Sequence, residues 1–309
     1  MKYLFGPVPS RRLGYSLGID LVPNKTCTFD CIYCEVGKTT DLTEKRRDFG
    51  NAEEIIRETK DFLSSYTGRI DHITFTGSGE PTLNAKLGYI AQEIKKETRI
   101  PLALITNTAL FGDADVREDA MKFDVVLPSL DSVNEESFRA VNKPHNGIVL
   151  QNIIDGLLKF SEEYKGKILL EILFVKNVND SDRDIMALRR ILEKMHIDKI
   201  QINTVVRPPA YSSAKPIDAN DRERIKNLLG DKVQIELAFN PENSNKSSAG
   251  EDDVKRLLQR RPCTYDQIST ALGIPSKELN SIIDKLEKTK NIRVEKFGEE
   301  FYYSVKNDE

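Results

Sequence analysis

Cysteine and histidine are both scarce in this chain of 309 residues, which has four of the first and three of the second. Four cysteines, three of them clustered, do not form the disulfide framework of a small secreted protein. No apolar run approaches the roughly 18–20 residues that are needed to span a bilayer. The start of the sequence, "MKYLFGPVPSRRLG", lacks the long apolar segment of a secretory signal. We therefore expect a cytoplasmic protein without a membrane partner.

The chain also lacks an excess of positive charge. It carries 46 Lys and Arg against 49 Asp and Glu, a net charge of −3. The overall charge therefore gives no reason to expect attraction to nucleic acid. A hydrophobic content of 39% and a charged content of 31% are typical of a globular protein. At this length, one large domain and one small domain are the natural expectation.

Short β-branched runs alternate with longer amphipathic segments over most of the chain. The predicted strands cover 16–23, 71–77, 101–107, 123–132, 167–175, 198–206 and 232–239. The predicted helices cover 52–66, 84–98, 113–122, 149–164, 180–195 and 217–230. This α/β alternation favours a parallel sheet, arranged as a partial (β/α)6 TIM-like barrel over residues 1–239. A plain doubly wound sheet is the alternative.

The last quarter of the chain has a different pattern. The stretch "NPENSNKSSAGEDD" is polar and rich in Asn and Ser, so we predict a linker over 240–250. Residues 251–309 then show three helical segments and a hairpin that turns near Gly298. Three helices followed by a two-stranded wing predict a C-terminal winged helix-turn-helix domain.

Three of the four cysteines stand within eight residues, in "CTFDCIYC". Structural thiols, three ligands of a zinc ion, and a redox pair formed by Cys31 and Cys34 are possible interpretations. Isolated structural cysteines do not cluster, the paired halves of a zinc site are missing, and a redox pair leaves Cys27 unexplained. An iron–sulfur cluster fits better, because three thiolates can bind three irons of a cube and leave the fourth iron open.

The spacing C-x3-C-x-aromatic-C, with Tyr33 as the aromatic residue, resembles the signature of the radical S-adenosylmethionine (SAM) superfamily. The resemblance extends over residues 1–239. It implies a [4Fe-4S] cluster held by Cys27, Cys31 and Cys34, with SAM bound at the open iron. It also implies that SAM is cleaved to a 5′-deoxyadenosyl radical, which abstracts hydrogen from a substrate. An electron donor such as flavodoxin or ferredoxin would reduce the cluster.

The same resemblance implies which residues contact SAM. In "TGSGEPTLN", the motif after the second predicted strand, the resemblance assigns the SAM amino group to Gly77, Ser78, Gly79 and Glu80. The further implied contacts are Tyr33, Asn107, Ser129, Asp131, Asn203 and Val205. Ser129 and Asp131 would reach the ribose, and the segment from Asn203 would pack against adenine. Asp131 could instead cap a helix that begins in "VNEESF", and Asn107 could cap the loop after its strand.

The stem "FGPVPSRRLGYSLGIDLVP" resembles a group of archaeal and bacterial iron–sulfur oxidoreductases related to the enzymes that build wybutosine in transfer RNA. Those enzymes use a second cluster, for which this chain has no cysteines to spare. We expect Cys263 to be an ordinary semi-buried thiol. Arg11 and Arg12 are expected near the barrel mouth, where they could hold a carboxylate or a phosphate. Surface salt bridges are the alternative.

The substrate is not specified by any motif. Lys143 and His145 are weak catalytic candidates, because both stand in the loop segment "NKPHNG". Residues 250–309 carry 11 Lys or Arg against 12 Asp or Glu, so the predicted winged helix is not markedly basic. It could bind a protein, a peptide or RNA, or it could shield the open edge of the barrel. The competing functional hypothesis is a redox-sensing transcriptional regulator with an iron–sulfur cluster and a DNA-binding winged helix.

Overall fold

The computed structural model of the chain describes residues 1–10, 12–230, 233–235 and 250–305. Its strands are β1 (Leu4–Ser10), β2 (Gly14–Asp20), β3 (Thr26–Cys27), β4 (Asp41–Leu42), β5 (His72–Thr76), β6 (Leu102–Thr106), β7 (Val125–Pro128), β8 (Lys167–Phe174), β9 (Lys199–Thr204), β10 (Val233–Ile235), β11 (Ile292–Phe297) and β12 (Glu300–Val305). Its helices are α1 (Ala52–Ser65), α2 (Leu87–Glu97), α3 (Ala114–Ala120), α4 (Glu135–Asn142), α5 (Leu150–Glu163), α6 (Asp182–Leu192), α7 (Ala219–Leu229), α8 (Glu251–Arg260), α9 (Tyr265–Leu272) and α10 (Ser276–Lys288).

Eight strands form one sheet in the order β1-β2-β5-β6-β7-β8-β9-β10. The strands from β2 onward are parallel, and only β1 pairs antiparallel with its neighbour. A doubly wound sheet reverses its strand order at a switch point, whereas this order follows the chain without reversal. The sheet is therefore a curled half-barrel, and the prediction of a partial TIM-like barrel is confirmed.

Alternate residues of each parallel strand face two different cores. In β8, Leu170 and Ile172 are fully buried against the surrounding helices. Leu169, directly before Leu170 and on the other face, packs with Leu127 in a smaller cluster inside the barrel. This alternation follows from the two-residue period of a strand. The parallel direction of the strands places the carboxyl ends of β2 and β5 to β9 along one rim, where the loops carrying the predicted site begin.

Two elements of the barrel were not among the predicted ones. The first is β1, "LFGPVPS", whose glycine and prolines discouraged a strand prediction. An edge strand tolerates such residues, and a register shift between Phe5 and Val8 accommodates them. The second is α4, which Asn134 caps by accepting a hydrogen bond from the backbone N–H of Glu136. The alternative that Asp131 caps this helix is therefore wrong.

The C-terminal elements α8 to β12 form their own apolar core and pack against the barrel. Leu257, Ile268 and Leu279 lie in that core together with Val8 of β1. At the other side, the hydroxyl of Tyr302 donates to the backbone oxygen of Val206, at 3.0 Å. These contacts join the C-terminal elements to the β1 edge and to the segment after β9. The C-terminal elements therefore cover part of the β1 edge of the sheet.

The predicted boundary between the two domains lies mostly in residues that the structure does not describe. Most of the linker predicted over 240–250, and most of the strand predicted over 232–239, lie outside the described residues. Within the described ranges, no helix combines the length and the apolar character needed to cross a bilayer.

Leu279→Ala tests the C-terminal core. Leu279 is fully buried, so we expect a loss of about 2–5 kcal/mol in the free energy of unfolding. Phe301→Ala, at a position 58% exposed in the same unit, should change it by less than about 0.5 kcal/mol. Urea denaturation followed by far-ultraviolet circular dichroism measures both, since the chain has no tryptophan. Equal losses in the two variants would contradict this packing.

Candidate active site

The cysteine loop and the G-S-G-E motif are held together by backbone hydrogen bonds. The N–H of Lys25 donates to the oxygen of Ser78 at 2.8 Å, and the N–H of Glu80 donates to the oxygen of Thr26 at 3.1 Å. A Cβ atom at Gly79 would lie 2.1 Å from that same oxygen of Thr26. Glycine is therefore required at position 79, because only it permits so close an approach of two backbones.

Each of the three sulfurs of the cysteine loop accepts a hydrogen bond from a nitrogen donor. Lys25 Nζ lies 3.2 Å from Cys34 Sγ. Asn107 Nδ2 lies 3.5 Å from Cys27 Sγ, and Asn142 Nδ2 lies 3.4 Å from Cys31 Sγ. Hydrogen bonds to thiolate sulfurs are a known means of tuning iron–sulfur clusters. The donor set therefore fits three cluster-bound thiolates.

The surrounding protein disfavours free thiolates at two of these positions. Desolvation, with a smaller contribution from the charge of Glu80, raises the pKa of Cys27 to about 12. Desolvation also raises the pKa of Cys31 well above its ordinary value, and the charge of Asp131 adds to the effect. A bound metal centre is what would hold such sulfurs in the ionised form. Among the described residues, no three His, Cys, Asp or Glu side chains converge as a shell around one metal ion.

Glu80 is a buried carboxylate whose oxygens are occupied by protein donors. One oxygen accepts from the backbone and hydroxyl of Thr82, at 3.1 and 2.7 Å, and from the hydroxyl of Thr106, at 2.7 Å. The other accepts from the N–H of Asn107 at 2.8 Å. Glu80 thereby connects the G-S-G-E motif to the end of β6. Burial raises its pKa, and these hydrogen bonds oppose that rise.

Asp131 anchors a second network beside the cluster loop. One of its oxygens accepts from the hydroxyl of Tyr33 and from Asn142 Nδ2, the latter at 2.7 Å. The other oxygen accepts from the N–H of Leu173 at 2.9 Å. Asn142 therefore joins Asp131 to Cys31. Desolvation raises the pKa of Asp131, which is 4% exposed.

The structure brings other predicted residues to the same rim. Asn107 caps its loop by accepting from the N–H of Ala109 at 3.1 Å, and its amide also reaches the cysteine loop. Ser129 lines a small cavity with Asn107 and Asp131. Val205 is buried in a cluster with Ile32 of the cysteine loop. Asn203, on β9, is half-buried two residues before it.

Arg12 is the member of the predicted arginine pair that the structure describes. Arg11 lies outside the described residues. Arg12 lies in the turn that precedes β2, at the amino ends of the parallel strands and opposite the cysteine loop. Its guanidinium is ion-paired with Glu171 of β8. Arg12 thus lies at the start of β2 rather than at its end, and the roles of the two arginines stay predictions.

The two weak catalytic candidates have different surroundings. Lys143 Nζ lies 2.8 Å from the hydroxyl of Tyr211 and 3.6 Å from a carboxylate oxygen of Asp30, on the cysteine loop. His145 Nδ1 accepts from the N–H of Gly147 at 3.1 Å and lies 3.7 Å from Glu44. Both residues are thus close to the cysteine loop, and their catalytic roles stay predictions.

The family model of the radical SAM superfamily matches residues 21–189, which is more than half of the chain. The chain belongs to the radical SAM superfamily. Its match begins just before the cysteine loop and includes the G-S-G-E motif, β7 and β8. Enzymes of this superfamily use a [4Fe-4S] cluster together with SAM, so this chain is an enzyme of that class.

Two curated relatives and one solved structure are similar to the chain. It is 32% identical to the UPF0026 protein MJ1312 of Methanocaldococcus jannaschii, over 98% of this chain and 96% of that protein. It is 33% identical to a GTPase Obg of Brachyspira hyodysenteriae, over 98% of this chain but only 45% of that protein. A radical SAM methyltransferase from Sphaerobacter thermophilus shares the fold, with a TM-score of 0.53 and 15% identity, over 71% of this chain and 65% of that one. These similarities give no support to a transcriptional regulator.

Several residues of the site were missed by sequence reasoning. Lys25 and Asn142, which donate to two of the sulfurs, stand beside predicted residues but carry no motif of their own. Asn142 could have been found from its neighbour Lys143, since both lie in the segment after β7. Nη1 of Arg207 lies 2.8 Å from Oε1 of Glu35, a residue 172 positions earlier in the sequence. A local sequence pattern does not predict such a pair.

Glu80→Gln tests the positioning role of the buried carboxylate. Both oxygens of Glu80 accept hydrogen bonds, so the NH2 group of a glutamine would face a donor instead of an acceptor. We therefore expect a loss of about 1–3 kcal/mol in the free energy of unfolding. Glu97→Gln, at an exposed position paired with Lys60, should cost less than about 1 kcal/mol. Thermal or urea denaturation of the full chain separates the two. An unchanged stability in Glu80→Gln would show that the network is not needed for packing.

Proposed function

We propose that Cys27, Cys31 and Cys34 hold three irons of a [4Fe-4S] cluster and that SAM binds beside them at the rim of the half-barrel. When bound and reduced by an external electron donor, the cluster would supply the electron for reductive cleavage of SAM to methionine and a 5′-deoxyadenosyl radical, which is able to abstract hydrogen from a substrate carbon. The observation that carries this proposal is the set of three sulfurs, each facing its own nitrogen donor, on a loop that the G-S-G-E motif holds in place.

The protein's own residues position these groups and exclude water. Lys25 places a positive charge next to Cys34, and Asn107 and Asn142 orient the other two sulfurs. Glu80 fixes the backbone of Asn107. A rigid network of this kind limits the movement of the cofactor during the reaction.

The proposed SAM contacts divide into two kinds. Gly77, Ser78 and Gly79 offer backbone groups, and Gly77 has a φ of +147°, which favours glycine. Ser129, Asn203 and Val205 lie on the ends of β-strands at the same rim, or just past them. Glu80 and Asp131 are already engaged by protein donors, so we propose that they orient Asn107 and Tyr33 rather than serve as the main ligands of SAM.

We further propose that the chain divides into a radical SAM partial barrel over 1–239, a linker over 240–250 and a winged-helix domain over 251–309. Support comes from three helices followed by a hairpin, with a turn at Gly298 whose φ is +62°. The proposed role of this domain is to close the open side of the barrel and to present a substrate or partner. We also propose that the chain is related to the wybutosine group but holds one iron–sulfur cluster instead of two. The proposed location is the cytoplasm, and the proposed electron donor is a flavodoxin or a ferredoxin.

Anaerobic reconstitution with iron and sulfide, followed by dithionite and SAM, tests this function. We expect 5′-deoxyadenosine to form, measured by liquid chromatography. The Cys31→Ser variant should form 5′-deoxyadenosine at least ten-fold more slowly and should lose most of its bound iron, because one ligand of the cluster is gone.

Cys263→Ser is the matched control. This thiol is fully buried between α8 and α9, distant in sequence from the loop. It should keep both its iron content and its 5′-deoxyadenosine formation. A loss of iron in this variant alone would show that the ligand assignment is wrong.

A further inference from the structure

Lys25 stands two residues before the first cysteine of the loop, and its side chain lies inside the protein. The residue is only 4% exposed, although lysine is rarely buried unless it is paired. Its Nζ lies 3.2 Å from Cys34 Sγ. Among the described residues, no carboxylate forms an ion pair with this ammonium group. The sulfur of Cys34 is therefore the contact that accounts for the position of the charge.

The backbone of Lys25 adopts a conformation that favours another residue type. Its φ is +59°, in the left-handed region that glycine adopts without cost. Three hydrogen bonds hold it there: its N–H donates to the backbone of Ser78 at 2.8 Å, and its oxygen accepts from the N–H groups of Thr40 and Asp41, at 3.2 and 3.1 Å. Such a conformation persists only where the surroundings fix it, and it is frequent at functional sites. A lysine at this position indicates a use for its side chain.

The charged groups beside the cysteine loop include two buried carboxylates. Burial is the main cause of the raised pKa of Cys27, the charge of Glu80 adds to that rise, and the charge of Lys25 opposes it. After burial, the second carboxylate, Asp131, adds in the same way to the raised pKa of Cys31. Lys25 is thus a cation that faces a group of anions.

A cluster on these sulfurs adds to the negative charge. An oxidised [4Fe-4S] core that is bound by three thiolates carries one net negative charge, and reduction by one electron adds a second. Net charge and hydrogen bonds to the sulfurs are among the properties that set the reduction potential of such a centre. The donors to the other two sulfurs, Asn107 and Asn142, are neutral amides, so they bring hydrogen bonds without charge. The donor to Cys34 brings both.

We propose that Lys25 is the counter-ion of the cluster and that its charge raises the reduction potential of the cluster. The ammonium group attracts the reduced form, which carries the greater negative charge, more strongly than the oxidised form. Burial strengthens this difference, because water that would screen the charge is excluded. The inference rests on the proposed function for the presence of the cluster, and it deepens that function by naming a residue that regulates electron uptake.

The first measurement is the midpoint potential of the reconstituted full chain in the absence of SAM. An anaerobic titration with dithionite, which supplies the electron, is followed by electron paramagnetic resonance of the reduced cluster. Lys25→Met removes the charge and keeps an unbranched side chain. It should shift the redox equilibrium at least ten-fold towards the oxidised form, which is a fall of about 59 mV for a one-electron couple. Lys25→Gln, which keeps an N–H donor but no charge, should shift the potential in the same direction.

Lys38→Met is the matched control for the loss of a positive charge. Lys38 lies four residues after Cys34 and is exposed. Its Nζ lies 4.8 Å from the centre of the Tyr211 ring rather than beside a sulfur. Because solvent and salt screen a charge at such a position, its loss should move the potential by less than about a third of the Lys25→Met shift.

The second measurement is the thermal unfolding midpoint of the full chain prepared without iron, at about pH 6, where thiols are ordinarily neutral. A buried ammonium group that faces no anion costs free energy. The midpoint of Lys25→Met should therefore equal or exceed that of the unchanged chain. A lysine with a merely structural role would give the opposite result, a lower midpoint in the variant.

The outcomes separate the two proposals. An unchanged chain that takes up no cluster refutes the proposed function, and this inference with it. A cluster whose potential is the same in Lys25→Met as in the unchanged chain refutes the inference alone. A shift in Lys25→Met without one in Lys25→Gln also refutes it, because the hydrogen bond and not the charge would then set the potential. An equal shift in Lys38→Met, or a lower midpoint of iron-free Lys25→Met, has the same consequence.

Discussion

The close contact between the backbone of Gly79 and that of Thr26 is the constraint on which the site depends. Two chain segments that lie 53 positions apart in sequence run side by side there, and hydrogen bonds on both flanks hold them. This contact fixes the cysteine loop against the end of β5. It also places the sulfurs within reach of Asn107, which follows β6, and of Asn142, which ends α4. Further backbone hydrogen bonds hold the loop on its other side, among them those from the N–H of Ile32 to the oxygen of Val141 and from the N–H of His145 to the oxygen of Thr28.

The rest of the architecture supplies the groups that meet at this contact. A parallel sheet that follows the chain in order brings every strand end to one rim, so polar residues from β5, β6 and β7 converge although they are far apart in sequence. Buried carboxylates then connect the rim: Glu80 joins β5 to β6, and Asp131 joins β7, β8 and the cysteine loop. The C-terminal unit adds a wall against β1 and the segment after β9. A reaction that forms a free radical is well served by such an enclosed site.

Much of this fold could be predicted from sequence. The period of the apolar residues located six of the seven helices α1 to α7, all except α4, and the motif positions indicated a common rim. The cysteine spacing identified the loop that carries the family signature. Strand β1 was missed because Pro7 and Pro9 oppose a strand locally, and only its position at the sheet edge makes them acceptable.

The parts that could not be predicted depend on contacts between distant segments. The position of Arg12 opposite the rim follows from the chain reversal between β1 and β2, which local pattern did not reveal. The engagement of Glu80 and Asp131 by protein donors is likewise set by tertiary packing.

Electron paramagnetic resonance of the reduced, anaerobically reconstituted protein tests the central claim most directly. An iron that lacks a protein ligand can take the amino and carboxylate groups of SAM, so the spectrum of the reduced cluster should change on addition of SAM. Isotopic labelling of the SAM amino nitrogen should then give a resolved coupling to the cluster. A spectrum that is identical with and without SAM would contradict the account, because a cube closed by four protein ligands would not respond.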